Sequence, residues 1–203
     1  MTSLYGVIIA GGQGERLGGV RKADIRIGGV RLIVRVAKVL GVLEQPLMVA
    51  TGPGPNTAAL HPPFLAVSDA DDAAGGPLAG LAAAVLALQS RGITDGVLIS
   101  VAVDTPFLPP DYVDRLLAAL DTAPAAFAGW HDSIYPPNAA WRLQSIAGLP
   151  DRQGEIGSLK ALHQRLGAVR AGWDEMEDNP FDNLNTLADL LALGKRAQRA
   201  PRV

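Results

Sequence analysis

The fold is decided by residues 4–22, which read LYGVIIAGGQGERLGGVRK. Residues 4–10 form an apolar run that is rich in β-branched side chains and ends at a glycine, which is typical of a strand buried in a parallel sheet. The glycines that follow allow positive φ angles and leave backbone N–H groups open to an anion. We therefore predict a strand that leads into a phosphate-binding loop at the carboxyl edge of a sheet, where open α/β folds bind their ligands.

Two common glycine-rich motifs do not fit this loop. A dinucleotide fingerprint that begins at Gly12 requires a glycine where the chain has Leu17. A P-loop requires a glycine directly before its lysine and a hydroxyl residue directly after it, whereas Lys22 lies between Arg21 and Ala23. The residues alone also leave open a structural turn whose basic side chains are merely solvated.

Composition restricts the partners that the chain can have. The protein has 203 residues, a net charge of −2 and no cysteine. This charge provides no broad basic field for nucleic acid or an anionic membrane, and the lack of cysteine excludes disulfides, thiolate metal sites and a cysteine nucleophile. No apolar run reaches the roughly 20 residues that cross a bilayer. We expect a cytoplasmic protein with a small-molecule partner, built as one domain over residues 1–195 with a frayed basic tail over residues 196–203.

Strand and helix patterns alternate along the chain and predict the fold class. Further strands are expected at residues 25–27, 47–51, 64–67, 96–103, 139–142 and 168–170, and helices at residues 32–43, 77–91, 110–120, 158–166 and 186–193. Residues 125–137 are expected to form a strand or hairpin at the edge of the site. Such alternation indicates a three-layer, Rossmann-like α/β fold with a mostly parallel central sheet and helices on both faces.

Asp104 is the second functional candidate. It follows the most strand-like run in the chain, residues 96–103, and begins the sequence Asp-Thr-Pro. A carboxylate at the carboxyl tip of a buried strand suits Mg²⁺, which takes hard oxygen ligands and often only one or two carboxylates. A turn or helix cap is the alternative role for this aspartate.

The spacing AGGxGxRxGGxxK, from Ala10 to Lys22, resembles the signature loop of the nucleotidyltransferases that activate sugar phosphates and cofactors. Three further segments follow in the order of that family: GPLAGL at residues 76–81, DTP at residues 104–106 and FDNLNT at residues 181–186. Together they make the chain most similar to the molybdenum cofactor guanylyltransferases, the protein A family of molybdopterin-guanine dinucleotide biosynthesis. The resemblance spans residues 6 to about 191.

This resemblance implies a Mg²⁺-dependent enzyme that joins the guanylyl group of GTP to the terminal phosphate of molybdopterin and releases pyrophosphate. The nucleophile would be a phosphate that is already ionised at neutral pH, so positioning and charge neutralisation would supply the catalysis. Besides GTP and molybdopterin, the implied partners are molybdenum insertion proteins and molybdoenzyme chaperones.

The family motifs also imply roles for individual residues. Catalysis falls to Arg16, Lys22 and Asp104, the metal to Asp104, and nucleotide binding to Ile9, Ala10, Gly11, Gly12, Gly14, Lys22, Asp69, Pro77, Leu78, Gly80 and Asp104. Asp69 would accept hydrogen bonds from the base or the ribose, with a solvated loop carboxylate as the alternative. Asn183 and Asn185 would reach either the acceptor phosphate or the metal, or would cap the last helix.

The choice of guanine rests on the sequences IAGG at residues 9–12 and GPLAG at residues 76–80. Three alternatives stay open: the cytidylyltransferase of the same cofactor, a transferase for another cofactor or a sugar phosphate, and a catalytically idle nucleotide- or pterin-binding module. The chain departs from the family at two positions. Ala50 replaces a polar residue that can contact the nucleotide in other members, and Tyr135 replaces a histidine that commonly faces the pterin in them.

Overall fold

The computed structural model describes residues 2–11, 21–52, 64–69 and 75–199. The strands are β1 (Leu4–Ile9), β2 (Arg26–Ile27), β3 (Val30–Arg31), β4 (Leu47–Ala50), β5 (Phe64–Val67), β6 (Val97–Ala102), β7 (Ala125–Trp130), β8 (Ser133–Arg142) and β9 (Val169–Gly172). The α-helices are α1 (Leu32–Val39), α2 (Gly76–Gln89), α3 (Tyr112–Ala119), α4 (Leu143–Ile146), α5 (Leu149–Ile156), α6 (Leu159–Leu166) and α7 (Leu187–Arg199), and a 3₁₀ turn covers Lys22–Asp24.

Seven strands form the central sheet in the order β5-β4-β1-β6-β8-β7-β9. The pairs β4–β5, β1–β4, β1–β6 and β7–β9 are parallel, and β8 runs antiparallel to both of its neighbours. Since β8 follows β7 in a tight hairpin, it must run in the opposite direction. The prediction of a mostly parallel sheet is confirmed.

Buried side chains cover both faces of the sheet and produce three layers. Helices α1, α3 and α7 contribute to the core on one face, and helices α2, α5 and α6 to the core on the other. The central strands are mostly apolar because side chains on both of their faces are covered. This arrangement confirms the expected Rossmann-like architecture.

Helix α2 packs very closely on the sheet at Gly80. A Cβ atom at this position would lie 2.9 Å from the Cβ of Ala50 and 3.6 Å from Cγ2 of Ile9. Only glycine allows the helix to approach β1 and β4 so closely without displacing it. Part of the GPLAG motif therefore has a packing role at the end of β1.

Strand β8 is longer than predicted, because the predicted hairpin and the strand at residues 139–142 form one continuous element. Its register against β7 jumps from Ala139 opposite Phe127 to Tyr135 opposite Ala128. The irregularity coincides with Pro136 and Pro137, which have no N–H to donate to the ladder. The strand can therefore continue past the prolines only by leaving them unpaired.

The last helix is longer than the predicted residues 186–193, since α7 continues to Arg199. Arg196 donates a hydrogen bond of 2.5 Å to the carbonyl oxygen of Asn179 and lies over the ring of Phe107 at 4.5 Å. Gly194 lies inside α7, where a glycine costs only about 1 kcal/mol. Residues 200–203 lie outside the described residues.

Helices α4 and α5 were not predicted. Their segment has a short and weak apolar pattern, and α5 is bounded by a proline in its first turn and by Gly157 with φ of 74° at its end.

None of the helices in the described ranges is long and apolar enough to cross a membrane.

Gly80→Ala tests the packing of α2. The added methyl group must push α2 away from Ala50, which we expect to lower the free energy of unfolding by about 1–3 kcal/mol. Urea unfolding followed by circular dichroism measures this change. Gly154→Ala in α5 is the matched control, because nothing lies within 4 Å of a Cβ there, and it should stabilise the protein by up to about 1 kcal/mol. Equal effects of the two substitutions would contradict the close approach.

Candidate active site

The carboxyl ends of three adjacent strands lie at the same level. Ile9 at the end of β1 is in register with Ala50 at the end of β4 and with Ala102 at the end of β6. The pairing continues past the strands, since the N–H of Ala10 donates to the Ala50 carbonyl at 2.8 Å and that of Val103 to the Ile9 carbonyl at 3.0 Å. The segments after all three strands therefore leave the sheet side by side.

Gly11 lies against the segment that follows β4. A Cβ atom on Gly11 would be 2.9 Å from the backbone nitrogen of Gly52, which itself has φ of 80°. Two backbones meet here without side chains between them, which explains the need for glycine at both positions. The first residues of the predicted phosphate loop are thus held against the sheet, while Gly12, Gly14 and Arg16 lie outside the described residues.

Lys22 brings together the most distant parts of the chain. Its Nζ donates a hydrogen bond of 2.8 Å to Oδ2 of Asp104 and another of 2.8 Å to Oδ1 of Asn185. The side chains of Lys22 and Asp104 are each only 16% exposed. Shielding from water strengthens the attraction between their charges, so this pair is a firm contact. We call these three residues the lysine cluster.

The segment that carries Asn185 is fixed to the segment that carries Asp104. The N–H of Leu184 donates to the carbonyl oxygen of Asp104 at 3.0 Å. Leu184 and Phe181 are fully buried. Backbone and side-chain contacts therefore both hold Asn185 beside the end of β6.

Asn138 was not predicted but supports the same strand end. Pairing between β6 and β8 stops at Ser100 opposite Ala139. Beyond that point Oδ1 of Asn138, a residue that is 1% exposed, accepts a hydrogen bond of 2.8 Å from the N–H of Ala102. An asparagine within the apolar run at residues 134–141 was the available signal, since a buried amide must find a partner.

Asp69 is a buried carboxylate that has no hydrogen-bond partner among the described residues. It follows β5 and is 7% exposed, and within the described ranges neither of its carboxylate oxygens accepts a hydrogen bond. Burial raises the pKa of this carboxyl group because the charged form loses hydration. A buried charge is costly until donors reach it, so the two oxygens form a ready acceptor for a bound molecule.

The other predicted residues are distributed as follows. Ile9, Leu78 and Gly80 are buried, Ala10 and Gly11 are partly buried, and Pro77 is exposed at the start of α2. Asn183 is exposed and does not belong to the lysine cluster. The structure thus joins Lys22, Asp104 and Asn185 and leaves Asn183 apart from them.

Comparison with known proteins adds family information to this geometry. A family model described as "MobA-like NTP transferase domain" matches residues 6–172. The molybdenum cofactor guanylyltransferase of Cereibacter sphaeroides is 35% identical over 92% of this chain and 93% of its own length. That of Rhodobacter capsulatus is 36% identical over 98% of this chain and 99% of its own length.

Solved structures share the fold. Molybdopterin-guanine dinucleotide biosynthesis protein A from Archaeoglobus fulgidus has a TM-score of 0.74 and 20% identity, over 97% of this chain and 100% of that chain. Rv0371c from Mycobacterium tuberculosis, solved in complex with manganese, has a TM-score of 0.66 and 17% identity, over 96% of this chain and 98% of that chain.

Asp69→Asn tests the unpaired carboxylate. Because the pKa is raised in the folded state, folding takes up a proton between the ordinary and the raised pKa, and stability falls as pH rises through that window. The amide has no charge to bury, so we expect the ligand-free variant to melt about 2–4 °C higher at neutral pH, with no difference at a pH below the ordinary carboxyl value. Calorimetry at several pH values measures this. Asp114→Asn, at an exposed position of α3, should leave melting unchanged, and a similar shift there would contradict the interpretation.

Proposed function

The chain belongs to the family of MobA-like NTP transferases, and on that premise we propose that it transfers the guanylyl group of GTP to the terminal phosphate of molybdopterin, with release of pyrophosphate. The relatives named molybdenum cofactor guanylyltransferase cover nearly the whole chain, which supports this activity over that of other nucleotidyltransferases.

The lysine cluster is the observation that carries the proposal. It places one fixed cation and two oxygen acceptors beyond the end of β6, at the carboxyl edge of the sheet. An open α/β sheet binds its ligand at this edge. A triphosphate that binds here would meet a positive side chain, and the lysine cluster itself contains no serine, cysteine or histidine nucleophile.

This equipment suits phosphoryl chemistry in which the substrate supplies the nucleophile. An oxygen of the acceptor phosphate attacks the α-phosphorus of GTP, the bond from that phosphorus to the bridging oxygen breaks, and pyrophosphate leaves with the electron pair. No proton has to move. Negative charge builds up on the α-phosphate oxygens and the leaving group, so a positioned cation such as Lys22 lowers the barrier.

The oxygen donors of the cluster also suit a divalent cation. The Asp104 carboxylate and the Asn185 amide oxygen converge on one cationic group, the Lys22 ammonium. No group of three or more acidic or histidine side chains with metal-binding geometry occurs among the described residues, so water and phosphate would complete the coordination, as is usual for Mg²⁺. Bound there, Mg²⁺ would neutralise phosphate charge.

Asp69 would contribute to nucleotide binding. Its two unpaired oxygens can accept hydrogen bonds from two adjacent donor groups of a ligand. The N1–H and N2–H₂ groups of guanine are such a pair, and so are the two ribose hydroxyls. Cytosine offers an acceptor, N3, next to its amino group, and an ionised carboxylate would repel it. A base that supplies two donors therefore pairs this buried charge fully, whereas a contact with the ribose hydroxyls would not distinguish GTP from CTP.

The activity is tested by incubating the protein with molybdenum-loaded molybdopterin, Mg²⁺ and either GTP or CTP. Pyrophosphate and the dinucleotide product are measured. We expect turnover with GTP. Turnover with CTP alone would identify a cytidylyltransferase, and nucleotide binding without product would identify an idle binding module.

Asp104→Asn tests the metal-binding role. The amide keeps an acceptor oxygen for Lys22 but removes the negative charge that attracts Mg²⁺, so we expect kcat to fall about 100-fold and the Mg²⁺ requirement to rise. Pyrophosphate release over a Mg²⁺ titration measures both. Asp114→Asn again serves as the control. Full Mg²⁺-dependent activity in Asp104→Asn would show that the metal is held elsewhere.

A further inference from the structure

We propose that Asp189 is a positioning residue of this site: its carboxylate fixes the backbone at Asn185, so that the Asn185 amide oxygen reaches Lys22 beside Asp104. The inference deepens the guanylyl transfer proposed above and, in its kinetic consequences, rests on that proposal. Asp189 itself lies in the first turn of α7 and meets the lysine cluster at the backbone N–H of Asn185.

One oxygen of Asp189 holds two backbone groups. Its Oδ2 accepts hydrogen bonds from the N–H of Asn185 at 2.9 Å and from the N–H of Thr186 at 2.8 Å. N–H groups before the first helical turn have no partner within the helix, and the positive end of the helix dipole favours a carboxylate there. The same hydrogen bonds, that of Asn185 foremost, keep the pKa of Asp189 below its ordinary value, so the carboxylate is ionised and fully able to accept at neutral pH.

These contacts determine where the Asn185 side chain can go. The residue before it, Leu184, is tied to the backbone oxygen of Asp104, and the N–H of Asn185 is tied to Asp189. The turn is therefore held on both sides, and Oδ1 of Asn185 then lies 2.8 Å from Nζ of Lys22. Without the Asp189 carboxylate the N–H of Asn185 loses this acceptor, so the turn holds the amide oxygen less firmly beside the cation.

The same aspartate belongs to a reciprocal helix cap, which provides a matched control. Oγ1 of Thr186 accepts a hydrogen bond of 3.2 Å from the N–H of Asp189, as in a capping box. Thr186→Ala removes this half of the cap and leaves the hydrogen bond to Asn185 in place. Asp189→Ala keeps that backbone donor but removes the hydrogen bonds that Oδ2 accepts from the N–H groups of Asn185 and Thr186. Asp189→Asn keeps an oxygen that can accept both of these bonds.

The kinetic test compares these variants with Asn185→Ala and with the double substitution. Loss of a residue that orients a metal-site ligand typically lowers activity 10–100-fold. We expect Asp189→Ala to lower kcat/KM about tenfold, like Asn185→Ala, and to have no further effect in the Asn185→Ala background, because both remove the same contact. Thr186→Ala and Asp189→Asn should stay within about twofold of the wild type. A multiplicative effect in the double variant, or an equal loss in Thr186→Ala, would overturn the proposal and leave Asp189 a helix cap only.

A second measurement does not depend on the reaction. The ¹⁵N side-chain amide signal of Asn185, identified by its absence in Asn185→Ala, should shift in Asp189→Ala and stay in place in Asp189→Asn and Thr186→Ala. An unshifted signal in Asp189→Ala would overturn the positioning role even if the enzyme is active. If the signal shifts as expected in the variants but the wild-type protein does not turn over GTP, the positioning role is supported and the proposed function is rejected.

Discussion

The ammonium group of Lys22, held between Asp104 and Asn185 at 2.8 Å from each, is the contact on which the rest of the site depends. Asp104 lies 82 positions after Lys22 in the sequence, and Asn185 lies 163 positions after it. Such a contact forms only if the β1–β6 register is correct and the segment before α7 returns to the end of β6. The sheet thus brings Lys22, Asp104 and Asn185 together, and it largely excludes water from the charged pair that Lys22 forms with Asp104.

Two aspartates at this edge of the sheet differ in whether a positive charge neutralises their carboxylates. Asp104 has a cationic partner within the protein, whereas Asp69 is buried with neither oxygen paired among the described residues. The first arrangement preserves the geometry of the site, and the second lowers the stability of the free protein. A ligand that supplies donors to Asp69 removes that cost on binding, so part of its affinity comes from relief of a penalty that folding has already incurred.

The sequence allowed a mostly parallel sheet, the strand that leads into the glycine-rich loop and the position of Asp104 at the end of a buried strand to be predicted, because long apolar runs and glycine spacing are local signals. Asn138 and the last turn of α7 were missed because each depends on a partner distant in the chain: the N–H of Ala102 for Asn138, and Asn179 and Phe107 for Arg196. For Asn185 the residue type allowed either a cap or a contact with the site. In the structure Thr186 and Asp189 form the helix cap, and the Asn185 side chain contacts Lys22. The spacing of these residues in the sequence does not show which of them takes which role.

The departure at Tyr135 bears on the same segment as the lysine cluster. Its hydroxyl accepts a hydrogen bond of 2.7 Å from Nδ2 of Asn179, and its ring lies 4.9 Å from that of Phe181. Tyr135 therefore supports the chain just before Leu184 and Asn185. The sequence departs from the motif of the family it resembles at this position, and the structure gives Tyr135 a supporting role instead, because its two partners lie in the segment that leads to Asn185. Since the N–H of Leu184 in that segment donates to the carbonyl oxygen of Asp104, a substitution at Tyr135 alters the support of both oxygen donors of the lysine cluster.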